Sequence, residues 1–206
     1  ISVSAFLLNR SSDLDLDDCV IKFAERHSNI DVQVEPALVP GTLWSLSLDS
    51  IANMHKRFTT EYALTIQTDG YPLRSGLDEF VGPWDYIAAP HICDVWWKRL
   101  ASNILRFRPM NGGFSLRSHE CCDQVGFWWK EKYNSLGDCH ETVEDWFYTA
   151  FLPSKERSYK NAMRFPDVST ALTFSYEAIG PWRRDKLPFG FHRMDSKEIL
   201  TGAGLL

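Results

Sequence analysis

Tyr62-Ala-Leu-Thr-Ile-Gln-Thr-Asp-Gly70 is the stretch on which the fold turns. Thr65 and Ile66 are β-branched, and Tyr62, Leu64 and Ile66 alternate with smaller neighbours. Gly70 lets the chain turn at once, so the run reads as a buried strand that stops at Asp69. In an open α/β sheet, ligands bind just beyond the carboxyl ends of the strands. Asp69 stands where a carboxylate can hold a divalent cation or a sugar hydroxyl. The same Asp-Gly pair is also ordinary turn chemistry.

Upstream of this strand, Ile1 to Leu8 reads as a first strand. Ser12 or Asp13 caps a helix whose apolar positions Leu16, Val20, Phe23 and Ala24 recur at helical spacing. Asp15, Asp17 and Asp18 fall in its first turn and complement the helix dipole. They lack the glycine and the terminal glutamate of a calcium loop. Asp31 to Glu35 alternates like a short strand. After Pro40-Gly41, Thr42 caps a second helix with Leu43, Leu46, Ile51 and Met54 on one face. The order β-α-β-α-β predicts an α/β fold with a mixed, mainly parallel central sheet flanked by helices.

Downstream, Trp84-Asp-Tyr-Ile-Ala-Ala-Pro90 reads as another strand stopped by proline. Residues 91 to 109 mix Trp96 and Trp97 with Lys98, Arg99, Arg106 and Arg108. They read as a surface helix with snorkelling arginines or as the lining of an anion or sugar pocket. Asn111-Gly-Gly-Phe-Ser-Leu-Arg117 is the most informative run. Two adjacent glycines before a strand-like Phe-Ser-Leu disfavour regular structure, so something must approach the backbone closely there. Arg117 is suited to a phosphate or to a carboxylate. Ser118 caps a helix carrying Cys122, Val125 and Trp129. Thr142-Val-Glu-Asp145 reads as a capping box, with Asp145 facing back to Thr142 and Glu144 more exposed. A helix follows around Val168 to Tyr176, and His192 stands in a loop.

Composition bounds the function. At 206 residues, 44% apolar and 24% charged, the chain suits one α/β domain with a sizeable core. A formal net charge of −5 argues against a broad nucleic-acid binder. No run is apolar enough to cross a bilayer and no leader opens the chain. Peripheral membrane association stays open. The first residue, Ile1, points to a domain excised from a longer protein or to missing initial residues. Five cysteines, Cys19, Cys93, Cys121, Cys122 and Cys139, form no disulfide framework and no common zinc spacing. They read as free thiols in a reducing, cytoplasmic setting.

Four runs in order carry a resemblance: Ile66-Gln-Thr-Asp-Gly70, Trp84 to Pro90, Asn111 to Arg117, and Val143-Glu-Asp-Trp-Phe147. Together they resemble a little-characterised family of glycosyltransferase-like domains, with Gln-x-Asp, Asp-Tyr-Ile-Gly-Ala-Pro-Trp, Asn-Gly-Gly-Phe-Ser-Leu-Arg and Glu-Asp patterns. More broadly the set is similar to nucleotide-sugar glycosyltransferases of the GT-A fold. The resemblance covers about residues 60 to 192. It implies one GT-A-like (Rossmann-like) domain over residues 1–206, with a nucleotide-binding half, 1–90, and an acceptor-side half, 91–206.

The resemblance also implies roles. Asp69 matches the metal- or ribose-contacting carboxylate and His192 the late metal ligand. Gln67, Asn111, Gly112, Gly113 and Arg117 match the donor side, and Glu144 or Asp145 the catalytic base. The implied partners are a nucleotide-sugar donor and a glycan acceptor, and the implied cofactor is divalent manganese or magnesium. The implied activity is hexosyltransferase-like, of the kind used in polysaccharide biosynthesis. A non-catalytic binding module of a larger polysaccharide-assembly protein is the alternative. The pattern is broken at three places: there is no full Asp-x-Asp, Ala88 replaces a glycine, and His91 replaces a tryptophan.

Overall fold

A computed structural model describes residues 2–8, 43–67, 69–91, 109–137, 140–177 and 187–193, together with 198, 201 and 204. The helix expected from residue 12, the strand at 31–35, the Thr42 cap and the aromatic and basic run 92–108 lie outside these residues. In chain order the elements are β1 (Val3–Leu8), α1 (Leu43–Asn53), β2 (Tyr62–Gln67), β3 (Gly70–Pro72), β4 (Tyr86–Pro90) and β5 (Met110–Ser118). Then come α2 (His119–Trp128) and α3 (Glu144–Trp146). The latter continues through a π-helical turn, Phe147–Phe151, into α4 (Leu152–Lys155). The remaining elements are α5 (Arg157–Ala162), α6 (Val168–Phe174), β6 (Ser175–Tyr176) and β7 (Gly190–His192).

The fold is mixed α/β, and the main sheet has the order β1-β2-β5-β4. β1 pairs parallel with β2, whereas β5 pairs antiparallel with both β2 and β4. The expectation of a mainly parallel sheet is therefore corrected. β1, β2 and β4 do run in one direction, as crossover connections require. β5 runs against them from a central position, and that makes most pairings antiparallel. The sheet draws β5 from beyond residue 91 and sets it between two strands from before it. A second, small sheet has the order β3-β7-β6.

Side chains alternate across the main sheet into two apolar clusters. Ala63, Tyr86 and Ala88 meet Ile51 and Met54, the α2 residues Cys121, Cys122 and Val125, and Phe147, Leu152 and Tyr159. Tyr62, Leu64, Ile87, Phe114 and Leu116 face the other way, onto Phe80, Phe174 and Phe189. Ser118 caps α2 as its spacing predicts, its Oγ accepting from the Cys121 N–H at 3.1 Å. Cys121 and Cys122 are free and buried. No described helix is long and apolar enough to cross a membrane.

Candidate functional site

The strand directions bring three chain ends to one edge of the main sheet. β2 ends there at Gln67, β4 ends there at Pro90, and β5 begins there at Met110. Asp69 follows the first end, His91 follows the second, and Asn111-Gly112-Gly113 opens the third strand. The His91 N–H donates to the Pro109 carbonyl at 2.8 Å, which closes the gap between β4 and β5.

The glycine run is a bulge. The β4–β5 register shifts between Ala88 and Pro90, and the additional chain lies on β5. Its polar groups are satisfied by side chains, as burial demands. The Tyr86 hydroxyl donates to the Asn111 carbonyl at 2.9 Å, and the Ser115 hydroxyl to the Gly112 carbonyl at 3.0 Å. The Gly113 N–H donates to Asn111 Oδ1 at 2.5 Å. The glycines lie within β5, not ahead of it. What approaches the backbone is the protein itself. A Cβ on Gly112 would coincide with the Glu144 carboxylate, and one on Gly113 would coincide with the His192 ring.

On the Gly113 side stands His192. It belongs to β7, is buried, and pairs through its backbone with Gly70. The expected loop position is thus corrected: the short Gly190–His192 segment is held as a strand by β3 and β6. His192 Nε2 lies 2.9 Å from Gln67 Oε1 and 3.1 Å from Asp69 Oδ1. Its Nδ1 lies 3.5 Å from Glu177 Oε1. Arg193, with φ of 78°, donates its N–H to the Asp69 carbonyl at 3.0 Å and so ties the two segments together. Asp69 is the accessible member, with its side chain 41% exposed.

On the Gly112 side stands an ion pair. Arg117 Nη2 lies 2.7 Å from Glu144 Oε1, and the arginine side chain has no exposed surface. The guanidinium also donates to Ser115 Oγ and Ser50 Oγ, and it lies over the rings of Tyr86 and Tyr148. Of the two partners read for Arg117, the carboxylate is the one at hand, and its donors turn inward. The capping box is corrected as well. Thr142 is buried, α3 starts after Val143 with no side-chain cap, and the Asp145 carboxylate accepts from the Trp146 N–H at 2.6 Å. Glu144, expected to be the more exposed of the pair, is the more buried.

Asp145 Oδ2 lies 3.4 Å from His91 Nε2, with 13% and 21% of the two side chains exposed. Burial pushes the Asp145 carboxyl up, but the His91 imidazole and the Trp146 N–H outweigh it and hold the group below the usual carboxylate range. The pairing of His91 with Asp145 was not read from the sequence, although the position of His91 just past a strand end was a usable signal. The place of Glu177 beside His192 left no signal at all.

The donors around His192 Nε2 can be tested against a divalent ion. Neighbouring ligands of a six-coordinate ion with bonds near 2.0–2.1 Å sit about 2.9 Å apart. The Nε2 separations from Gln67 and Asp69 fall at that spacing. Oxygen and imidazole donors suit manganese or magnesium. Among the described residues no group of three or more His, Cys, Asp or Glu is arranged to hold a metal. A bound ion would therefore take the rest of its shell from water or a ligand, as magnesium commonly does.

Residues 47–192 match a family described as protein of unknown function (DUF5672), and the chain belongs to that family. No curated protein and no solved structure matches the chain.

Proposed function

We propose that this chain is a glycosyltransferase domain that moves a sugar from a nucleotide-sugar donor to a hydroxyl of a glycan or other acceptor. The reading is supported chiefly by one observation. Asp69, His91 and the Asn111–Gly113 bulge follow or open three strand ends at one sheet edge, with His192 against Gly113, Glu144 against Gly112, and Asp145 beside His91. Binding beyond strand ends is the general rule for open α/β sheets. A GT-A-like arrangement is the fold reading that goes with it, and the three co-directional strands β1, β2 and β4 support it.

In this mechanism Asp69 and His192, helped by the Gln67 amide, would hold a magnesium or manganese ion. When bound, that ion supplies Lewis-acid neutralisation of the departing diphosphate. Asn111, Gly112 and Gly113 shape the donor side, where the absence of side chains keeps Glu144 and His192 against the strand. On this reading Asp145, beside His91, is the carboxylate that takes the acceptor hydroxyl proton in an inverting, single displacement. The transition state is oxocarbenium-like, so positioning and charge carry most of the effect. The two buried free thiols agree with a cytoplasmic setting.

A second reading, a non-catalytic carbohydrate- or nucleotide-binding module, draws on the Arg117–Glu144 pair, which withholds one of the two candidate bases from an acceptor. The test is release of nucleoside diphosphate from UDP- and GDP-hexoses in the presence of manganese or magnesium. The expected result is turnover by the parent and its loss in Asp145→Asn with nucleotide affinity retained. Calorimetric binding of UDP or GDP without any release would favour the module.

A further inference from the structure

The His192 ring is held on three sides. Gly113 lies against its face, where a Cβ would meet Nε2, Cε1 and Cδ2. Nε2 faces Gln67 Oε1 at 2.9 Å and Asp69 Oδ1 at 3.1 Å. On the opposite edge of the ring, Nδ1 faces Glu177 Oε1 at 3.5 Å. The small sheet sets up this last contact. β6 runs parallel to β7 with Ser175 beside Gly190 and Tyr176 beside Phe191, so Glu177 is the next residue along and arrives beside His192. The Glu177 and His192 side chains are 11% and 4% exposed. Arg193 Nη1 lies 4.0 Å from the same Glu177 oxygen, which sets a cation beside this sheltered carboxylate.

The oxygens spaced for a divalent ion stand on the Nε2 side of the ring. An imidazole that gives Nε2 to a cation carries its proton on Nδ1. A metal-ligating histidine almost always donates that second N–H to a carboxylate, a carbonyl or water, which fixes the tautomer and the ring orientation. His192 is too enclosed to rely on bulk water, and Glu177 is the carboxylate in place. At 3.5 Å the contact is just longer than a hydrogen bond, so a small movement of either side chain makes one.

We propose that Glu177 is a positioning residue for a divalent cation at His192: its Oε1 accepts from Nδ1–H and so keeps Nε2 turned toward Gln67 and Asp69. The proposal rests on the cation-binding part of the glycosyltransferase reading. It adds a residue that lies in none of the four runs carrying the resemblance.

The experiment titrates the whole chain with manganese chloride by calorimetry, with and without UDP or GDP. Glu177→Ala is expected to bind manganese about 10–100-fold more weakly than the parent. Glu177→Gln, whose amide oxygen still accepts from Nδ1–H, is expected to fall nearer the parent. Long-range proton–nitrogen NMR spectra of the magnesium-loaded parent, with His192→Gln identifying the signal, are expected to place the ring proton on Nδ1. That readout is taken on the parent, so it decides the matter even where the alanine variant folds poorly, and a purely structural role for Glu177 would not fix it. An alanine variant with the parent's manganese affinity overturns the proposal. So does a magnesium-loaded His192 with its proton on Nε2. A parent that binds no manganese, with or without nucleotide, overturns the cation site and this proposal with it. Manganese binding that depends on Glu177, without release of nucleoside diphosphate from any donor, supports the proposal and overturns only the transfer reading.

Discussion

Arg117 is the residue on which the site's geometry depends. A guanidinium with no exposed surface is tolerable only because Glu144, Ser50, Ser115 and the Gly112 carbonyl accept from it and two tyrosine rings cover it. Removing one partner of such a pair leaves an uncompensated buried charge, which costs about 3–5 kcal/mol. Glu144→Ala is therefore expected to lower unfolding free energy by that order in urea, and Glu144→Gln by less. Equal urea midpoints for parent and Glu144→Ala would show that the pair is not needed. A second buried carboxylate, Asp85, lends itself to a pH test. Burial raises its carboxyl, but the backbone N–H, Nε and Nη2 of Arg164 bond to it and hold it below the usual range. A depressed folded-state value means that the stabilisation is complete above the unfolded value of about 3.9. It is lost as pH falls through the folded value. Urea midpoints of the parent are expected to drop more steeply on acidification below pH about 4 than those of Asp85→Asn.

At the scale of elements, local chemistry explains what was legible. Alternation marked β2, a terminal proline marked the end of β4, and a serine ahead of an amphipathic run marked the start of α2. Ser118→Ala removes the acceptor for the Cys121 N–H and is expected to cost about 1 kcal/mol, readable as a lower melting temperature. Pairing direction was not legible, because it depends on which strands become neighbours. Phe114-Ser-Leu116 has the look of a strand, yet nothing in it shows that Met110–Ser118 enters the sheet reversed between two strands that share a direction. The capping box failed for a related reason. Thr142 and Asp145 have the right spacing, but tertiary contacts outweighed it: Asp145 faces His91, and Arg117 draws Glu144 inward. His192 likewise looked like a loop residue because a three-residue strand shows no periodicity. Its pairing with Gly70, far away in sequence, makes it a strand residue. The glycine pair was legible as a place of close approach, but not what would approach.

For the whole molecule, the segments around the bulge come from either side of residue 91, so site assembly and folding are one event. The buried neighbours Cys121 and Cys122 turn that into something countable. Burial pushes the Cys121 thiol well up and Cys122 to about 11, so almost no thiolate exists at neutral pH while the chain is closed. Alkylation of the peptide carrying this pair, followed by mass spectrometry, is expected to proceed only as fast as the fold opens. The doublet is thus a built-in clock. Ligands that stabilise the closed form slow it in proportion to how tightly they are held, so a library of candidate ligands can be ranked without an activity assay.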